Sequence, residues 1–450
     1  MFGRILIANR GEIACRVLRT CRRLAIEVVG VHSEADAEAP HAVEADVSVS
    51  IGPPAVKESY LRGDAIIAAA LEHGAEAIHP GYGLLSENAA FARSVAEAGL
   101  VFVGPTPEAI SAMGDKLRAR ALAVEAGVPV LPASGAVSVD DPEALQAAGE
   151  AVGFPVLVKL SAGGGGIGMT RVDDPGRLIK AVKKAARRGM SAFGDSTAYL
   201  ERAVDNARHV EVQVLCDTHG AVLHLFERDC SMQRRHQKVV EEAPAPDLSD
   251  DLRADLYRAA TAMAAAVGYV GAGTIEFLLG PDGHFHFLEM NTRIQVEHPV
   301  TEMITGVDLV EQQLRVAAGE RLSIDQVDVR RSGHAIELRL YAEDPVRHLP
   351  APGTITAWTA PMGPGVRVDH ALRTGMEVTP WYDPMLAKII VWGEDRVDAI
   401  GRARSALEDL QLDGLTHNGP LHAAILGDPD FIAGRLHTGL LTQVVGRLGA

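Results

Sequence analysis

The sequence is poor in cysteine, in aromatic residues and in long apolar runs. Its four cysteines, Cys15, Cys21, Cys216 and Cys230, have no metal-binding spacing and are too few for a disulfide scaffold. No uncharged apolar run approaches the roughly 18 residues that a membrane helix needs. The N-terminus lacks the basic and then apolar pattern of a signal peptide. These absences argue against a secreted or membrane protein and predict a cytoplasmic one.

Positive charge is also scarce. Lys and Arg total 43 against 59 Asp and Glu, a formal net charge of −16, which argues against a nucleic-acid surface. Only eight of the 43 basic residues are lysines, yet Lys116, Lys159 and Lys238 lie within the richest motifs. An ammonium group differs physically from a guanidinium, so these three lysines are candidates for roles in a binding or catalytic site. The alternative is that a few lysines remain in an arginine-rich chain by chance.

The length of 450 residues and the hydrophobic content of 47% predict about three domains. Residues 1–112 alternate strand and helix, which predicts an open parallel sheet with helices on both faces. Their first turn is Asn9-Arg10-Gly11-Glu12 rather than G-x-G-x-x-G, which disfavours a dinucleotide site. Residues 113–330 are expected to form a central unit, in which residues 131–204 predict a small α+β lid. Residues 331–446 turn to shorter strands and predict a C-terminal α+β domain, so the fold class combines α/β and α+β.

Residues 274–290 predict a hairpin around the turn Gly280-Pro281-Asp282-Gly283. If Gly280 faces Gly283, then Glu276 faces Phe287 and lies diagonal to Glu289. Side chains alternate along a strand, so the two carboxylates share one face. They repel each other unless a cation binds between them, and such hard oxygen ligands suit Mg²⁺ carried by a nucleotide.

A row of polar side chains continues beyond the hairpin at alternate positions. It comprises Glu289, Asn291, Arg293, Gln295 and Glu297. In an extended segment these side chains point the same way, and burying such a row is too costly for ordinary packing. We therefore expect it to line a binding site, with a solvated edge strand as the less favoured alternative.

Lys159 ends a predicted strand and is followed closely by the glycine-rich residues 163–168. The spacing is not that of a P-loop. Glycines let backbone N–H groups converge on phosphate oxygens, so phosphate binding is favoured over a flexible linker.

Four further candidate residues have simple structural alternatives. Lys238 borders an apolar run and suits an anionic substrate, unless residues 227–238 form a solvated strand. Tyr82 and Glu87 lie in a turn at a predicted strand end, where α/β proteins place ligands, but an ordinary turn fits equally. Arg339 shares a strand face with Glu337, and an internal ion pair is the alternative reading.

Several strings resemble biotin carboxylase of the ATP-grasp superfamily across residues 1–445. They are Ile7-Ala8-Asn9-Arg10-Gly11-Glu12-Ile13-Ala14, His79-Pro80-Gly81-Tyr82-Gly83, residues 227–246, residues 289–305 and Ala342-Glu343-Asp344-Pro345. The resemblance implies an N-terminal α/β domain, an ATP-grasp domain with a mobile lid and a C-terminal α+β domain.

The resemblance also implies residue roles. ATP would contact Lys116, Lys159, Gly165, Gly166, Glu201, His209, Gln233, His236 and Leu278. Mg²⁺ or Mn²⁺ would be held by Glu276 and Glu289 with Asn291 close by. Bicarbonate would be held by Lys238, Arg293, Gln295 and Val296 and deprotonated by Glu297. Biotin would lie near Tyr82 and Arg339. Ala162, Ile167 and Thr170 depart from the residues common in relatives.

The implied reaction is ATP-dependent carboxylation of biotin on a carrier, using bicarbonate and passing through carboxyphosphate. It is the first half-reaction of an acyl-CoA carboxylase. None of the eight lysines has methionine on both sides, so the biotinylated carrier is expected on a separate chain, with carboxyltransferase subunits as further partners. The family is often dimeric. The alternatives are another ATP-grasp ligase and a catalytically silent nucleotide-binding subunit.

Overall fold

A computed structural model describes residues 1–162, 169–234 and 237–448. The predicted ATP contacts Gly165, Gly166 and His236 lie outside the described residues. So does Ile167, one of the departures from the family pattern.

The N-terminal part contains a five-stranded parallel sheet of order β3-β2-β1-β4-β5. Its strands are β1 (Arg4–Ile7), β2 (Glu27–His32), β3 (Val47–Ser50), β4 (Ala77–His79) and β5 (Val101–Phe102). Its helices are α1 (Gly11–Arg23), α2 (Pro40–Val43), α3 (Gly63–Glu72), α4 (Ala89–Glu97) and α5 (Pro107–Gly114). Ile5 and Ile7 pack in one core and Leu6 in another, so β1 is covered on both faces as the sequence predicts.

The predicted lid region holds a four-stranded antiparallel sheet of order β6-β9-β7-β8. Its elements are β6 (Ala133–Val137), α7 (Pro142–Val152), β7 (Val156–Leu160), β8 (Thr170–Val172), α8 (Leu178–Phe193) and β9 (Ala198–Arg202). The helix α6 (Lys116–Glu125) precedes it, and Asp115 caps that helix by accepting from the N–H of Leu117 at 3.0 Å. The apolar side chains of Val158, Leu178 and Leu200 belong to the core of this unit.

A long eight-stranded sheet, of order β14-β13-β10-β11-β12-β15-β20-β18, joins the central and C-terminal parts. Its strands are β10 (Arg208–Cys216), β11 (Val222–Arg234), β12 (Gln237–Ala243), β13 (Gly271–Leu279), β14 (Phe285–Asn291), β15 (His334–Tyr341), β18 (Val366–His370) and β20 (Met385–Gly393). The sheet crosses the sequence boundary near residue 331, because β12 pairs with β15 through Val240 and Leu338.

Helices and two small sheets surround this long sheet. The helices are α9 (Asp250–Val267), α10 (His298–Thr305), α11 (Leu309–Ala317), α12 (Arg396–Glu408), α13 (Gly419–Gly427), α14 (Pro429–Ile432) and α15 (Leu440–Leu448). The small sheets pair β16 (Gly353–Thr354) with β19 (Glu377–Val378) and β17 (Ala357–Thr359) with β21 (Gln411–Asp413). The sequence pattern after Ser332 predicts a final helix near 397–410, which is α12, but α13, α14 and α15 follow it, so that prediction is wrong.

The two faces of the long sheet differ in polarity. On β10, Val210, Val212 and Val214 join an apolar core, whereas the alternating residues His209, Glu211 and Gln213 are buried and polar. Because side chains alternate along a strand, all the polar groups lie on the opposite face. That face carries the site.

Two sequence expectations can be checked directly. All four cysteines are free and buried. Among the described residues, no helix combines the length and apolar character needed to cross a bilayer.

Candidate active site

The hairpin between β13 and β14 forms where the sequence predicts it, but its register differs. The N–H of Gly280 donates to the carbonyl of His284 at 2.8 Å, so Gly280 does not face Gly283 across the turn. Phe287 consequently pairs with Phe277. The prediction that Glu276 faces Phe287 is therefore wrong.

A β-bulge restores the proximity of the two carboxylates. Between Phe287 and Glu289 the register shifts, leaving Leu288 as the extra residue, and Glu276 pairs directly with Glu289. Directly opposed side chains on neighbouring strands share a face and approach more closely than diagonal ones. The bulge thus places the carboxylates nearer each other than the sequence argument requires.

A cavity of about 680 Å³ lies over the polar face of the long sheet. Its wall brings together the predicted site residues Lys116, Lys159, His209, Gln233, Lys238, Glu276, Glu289, Asn291, Arg293, Gln295, Val296, Glu297 and Arg339. Leu160 and Met169 of the lid region line the same cavity. A nucleotide-sized space thus has most of the predicted residues on its surface.

Lys238 is the centre of the charge network. Its ammonium nitrogen lies 2.6 Å from Glu211, 2.9 Å from Glu276 and 2.6 Å from Glu297. Burial opposes the charge of the ammonium, but the three carboxylates outweigh it and hold the pKa of Lys238 well above its usual value. Lys238 is therefore a fixed cation.

Glu297 is held between two cations. Its Oε1 accepts from Lys238 and its Oε2 from Arg339 at 2.9 Å. The same nitrogen of Arg339 lies 2.5 Å from Glu241, so the ion-pair partners of Arg339 are Glu241 and Glu297 rather than Glu337. Both oxygens of Glu297 are thus engaged, and an incoming substrate must exchange with one of these contacts.

The Glu276 carboxylate collects four donors. Its Oε1 accepts from Lys238, from Asn291 at 2.8 Å and from Gln295 at 2.8 Å, while its Oε2 lies 3.0 Å from His209 Nε2. Burial favours the protonated acid, but Lys238 and His209 prevail and lower the pKa of Glu276. In turn, Glu276 overcomes burial and raises the pKa of His209 to about 9.

Glu276 and Glu289 have the chemistry of a magnesium site. They offer hard oxygen donors at the cavity wall, and Glu289 is balanced there by the Lys116 ammonium at 3.4 Å. A second group, His209, Glu211 and Glu276, also has its ligand atoms within 4.8 Å of one another. Glu211 already binds two cations, so the hairpin pair is the better fit.

Arg228 and Glu211 support the site and were missed by the sequence reasoning. Arg228 is fully buried and binds Glu211 at 2.6 Å, Gln295 at 2.7 Å and Gln213 at 2.7 Å. It thereby orients Glu211 toward Lys238 and fixes the Gln295 amide. The signal was present in the alternation His209-Val210-Glu211-Val212-Gln213, whose polar members face the same way as Glu276.

Arg293 is oriented by the N-terminal part of the chain. It donates to Glu87 at 3.0 Å and to Asn291 at 2.9 Å. Residues 292–297 are not a strand, yet Arg293, Gln295 and Glu297 all reach the cavity. The predicted row lines one site, although the extended geometry assumed for it ends at Asn291.

Three predicted contacts lie outside the cavity wall. Glu201 forms an ion pair with Lys159, which does line the cavity, and Leu278 and Tyr82 are not among the described wall residues either. The Tyr82 hydroxyl donates to Glu12, and its ring centroid is 6.0 Å from the ammonium of Lys388. The fully buried Lys388, also missed, donates to the carbonyl of Val296 at 2.7 Å and so links Tyr82 to the site.

Family models match three successive parts of the chain. "Biotin carboxylase, N-terminal domain" matches residues 1–110, "Carbamoyl-phosphate synthase L chain, ATP binding domain" matches 115–325, and "Biotin carboxylase C-terminal domain" matches 337–443. Biotin carboxylase 2 of Bacillus subtilis (strain 168) is 51% identical over 98% of this chain and 100% of its own length. The biotin carboxylase of Pseudomonas aeruginosa is 49% identical over 99% of each chain.

Solved structures agree with these matches. The Campylobacter jejuni biotin carboxylase, described as a beta-gamma-ATP complex, superposes with a TM-score of 0.96 at 44% identity and covers 98% of this chain and 99% of its own. The biotin carboxylase domain dimer of Hydrogenobacter thermophilus 2-oxoglutarate carboxylase, described with MgADP, ADP and bicarbonate, gives 0.95 at 45% identity over 99% of each chain. Full-length identity of this level, on a sheet whose polar face gathers the predicted cations and carboxylates, has one explanation: this chain belongs to the biotin carboxylase family.

Proposed function

We propose that the protein is an ATP-dependent ligase that carboxylates biotin on a carrier with bicarbonate. The observation that carries the proposal is the position of Glu297. It lies between Lys238 and Arg339, on the wall of the cavity that also bears the Glu276–Glu289 pair. One cavity thus offers a metal-nucleotide site, a general base and fixed positive charge.

ATP occupies the part of the cavity between the lid and the hairpin. Lys116, Lys159 and His209 supply positive charge to the phosphates, while Gln233 and the glycines Gly165 and Gly166 supply polar and backbone donors. Glu201 acts through Lys159, to which it is paired. Leu278 and His236 complete the proposed contacts, and residues 131–204 act as a mobile lid that closes on the nucleotide.

Glu276 and Glu289, with Asn291 beside them, would hold Mg²⁺, or Mn²⁺ in its place. An ion bound there would supply positive charge against the phosphates of ATP. Lys116, already 3.4 Å from Glu289, adds a second positive charge at the same point.

Bicarbonate binds beside Glu297, held by Lys238, Arg293, Gln295 and the backbone of Val296. Glu297 takes its proton, and a bicarbonate oxygen attacks the γ-phosphorus of ATP while the bond to the ADP oxygen breaks. Carboxyphosphate and ADP result, and the carboxyphosphate divides into CO₂ and phosphate. Positioning and electrostatics supply most of the acceleration in such a phosphoryl transfer.

The phosphate takes the ureido N–H proton of biotin, and the resulting enolate attacks CO₂. Arg339 stabilises the enolate oxygen by exchanging its contact with Glu297 for one with the substrate, while Glu241 keeps hold of the guanidinium. Tyr82 is connected to this site through Lys388, whose ammonium lies 6.0 Å from the Tyr82 ring centroid and donates to the Val296 carbonyl.

The biotin arrives on a carrier protein or carrier domain of a separate chain, and carboxyltransferase subunits use the product. We also propose that two copies of this chain form a homodimer. Nothing in the charge pattern provides a nucleic-acid surface.

The test is ADP release by the purified protein with Mg-ATP. We expect release to require bicarbonate, to rise when biotinylated carrier is added and to yield carboxybiotin. Another ATP-grasp ligase would require a different carboxylate, and a silent subunit would release no ADP. Either result would refute the proposal.

A further inference from the structure

Two buried glutamates near Arg339 form a pair whose second member, Glu337, has no role in the proposed chemistry, while Glu241 enters that chemistry only through its contact with Arg339. Glu241 on β12 and Glu337 on β15 are direct partners across the two strands, and each side chain is 0% exposed. Directly opposed side chains approach to within about 5 Å at their β-carbons. Two carboxyl groups therefore lie side by side, shielded from bulk solvent.

The cations of the described residues nearby, Arg339 and Lys388, do not give both Glu241 and Glu337 an ion-pair partner. Arg339 lies 2.5 Å from Glu241 and serves Glu297 with the same nitrogen. The ammonium of Lys388, on the neighbouring strand β20, contacts the Val296 carbonyl at 2.7 Å and Glu12 at 3.2 Å. Glu337 has no cation of its own within ion-pair distance among the described residues.

The oxygens of Glu337 also lack ordinary hydrogen bonds from the residues that the structure describes. Across the described part of the chain, no donor reaches either oxygen of Glu337, and none makes a hydrogen bond of normal geometry to Glu241. An ionised carboxylate left in this state is very costly, whereas a protonated one can donate to its neighbour. A shared proton satisfies both groups at once.

The charged groups around Glu337 give the same picture. Facing it are Glu241 on β12, Lys388 on β20, Arg339 on its own strand, Glu297 before α10, and Tyr82. Burial is the main cause that raises the pKa of Glu337 well above its usual value, and burial also raises the pKa of Glu241 to about 7. A carboxyl pair that interacts this closely releases its protons in separate steps.

We propose that Glu337 is a positioning residue that remains a neutral carboxylic acid and donates a hydrogen bond to the Glu241 carboxylate. The pair then carries one negative charge beneath Arg339. One charge anchors the guanidinium, while a second would hold it back from the enolate. The inference rests on the enolate role proposed above for Arg339.

Substitution of Glu337 distinguishes a role as a neutral hydrogen-bond donor from a role as a negative charge. Glu337→Ala removes the donor and should lower biotin carboxylation about tenfold. Glu337→Gln keeps a neutral group of similar shape that can donate to Glu241, so it should restore the rate to within about threefold of the unmodified protein. If Glu337→Gln falls as far as Glu337→Ala, or fails to fold, a carboxylate charge is required at this position and the proposal is wrong.

Glu242→Gln is the matched control, since Glu242 is the next residue on β12 and equally buried. Its carboxylate binds His334 at 2.6 Å and Arg396 at 2.6 Å. Although burial opposes ionisation, these two partners lower the pKa of Glu242 to about 2. The same chemical change should therefore reduce the melting temperature here, whereas Glu337→Gln should leave it nearly unchanged.

Infrared spectroscopy reads the proton directly. The unmodified protein should show the carbonyl stretch of a buried carboxylic acid, which Glu337→Gln abolishes and Glu242→Gln leaves in place. Absence of a band sensitive to Glu337→Gln would overturn the proposal whatever the activities are.

The pH profile supplies the last readout. Biotin carboxylation should fall as alkaline pH removes the shared proton, and Glu337→Gln should move this fall to higher pH. An identical alkaline fall in both proteins contradicts the proposal. Failure of the proposed function is distinguishable, because the unmodified protein would then not carboxylate biotin while the infrared band would still be present.

Discussion

Removal of the Lys238 charge should destabilise the fold strongly, in a manner that depends on pH. Lys238→Met keeps most of the apolar stem but leaves Glu211, Glu276 and Glu297 without the ammonium that lies within 2.9 Å of each. Breaking a buried ion pair by removing one partner costs about 3–5 kcal/mol. We expect a loss of free energy of unfolding in this range at pH 8.

The direction of the pH effect follows from the carboxylates. Although burial opposes it, Lys238 lowers the pKa of Glu211 and of Glu276, so their stabilising contribution is present above the unfolded-state pKa and is lost as pH falls through the folded-state value. Without Lys238 the pKa values of these two groups rise. The variant can then bind protons at mildly acid pH, and its deficit should shrink between pH 8 and pH 5.

Urea denaturation of both proteins at pH 8 and pH 5 measures the difference. Lys183→Met, on the exposed side of α8, is the matched control and should change stability by less than about 0.5 kcal/mol. A loss below about 1 kcal/mol for Lys238→Met at pH 8, or a loss of equal size at pH 5, would refute the reasoning.

Further predictions concern the base and the metal. Glu297→Gln should bind ATP as before and lose biotin carboxylation by about 10²-fold or more, because amide nitrogen and oxygen are poor bases. Its control is Glu97→Gln, on the exposed face of α4, which should be fully active. An equal loss of ATP affinity in Glu297→Gln would indicate a structural role. Glu289→Gln should raise the Mg²⁺ concentration needed for half-maximal ADP release by about tenfold or more, since one of two ionised ligands is lost; an unchanged Mg²⁺ requirement would show that the metal binds elsewhere.

The fold class followed from sequence because its signals are local. The alternation of β1, α1 and β2 predicted the parallel sheet. Serine before a helix and glycine after it are local end signals, and at α9 Ser249 accepts from the N–H of Leu252 while Gly268 has the left-handed conformation. The short strands β6, β8 and β9 were missed because they have three to five residues and little alternation. The helices α13 to α15 were missed because prolines and glycines interrupt their pattern.

The sequence predicted most of the residues that lie together on the cavity wall, but not the geometry that brings them there. The hairpin pair was found from strand alternation, yet the bulge at Leu288 depends on packing between strands and changed the pairing of Glu276. Arg228 and Lys388 were missed for a different reason. Each contacts groups from distant parts of the chain, such as the Thr301 hydroxyl for Arg228 and the Glu12 carboxylate for Lys388, and no local pattern encodes such contacts. Glu241 and Glu337 likewise become a pair only through the register of β12 and β15.

The central claim is that a bicarbonate oxygen attacks the γ-phosphorus of ATP, and isotope transfer tests it most directly. With ¹⁸O-labelled bicarbonate, unlabelled water and a short reaction time, the attacking oxygen stays bonded to phosphorus when carboxyphosphate divides. The account predicts one ¹⁸O atom in each inorganic phosphate released during biotin carboxylation. Unlabelled phosphate, formed at the same rate as carboxybiotin, would show that water attacks ATP and would contradict the account.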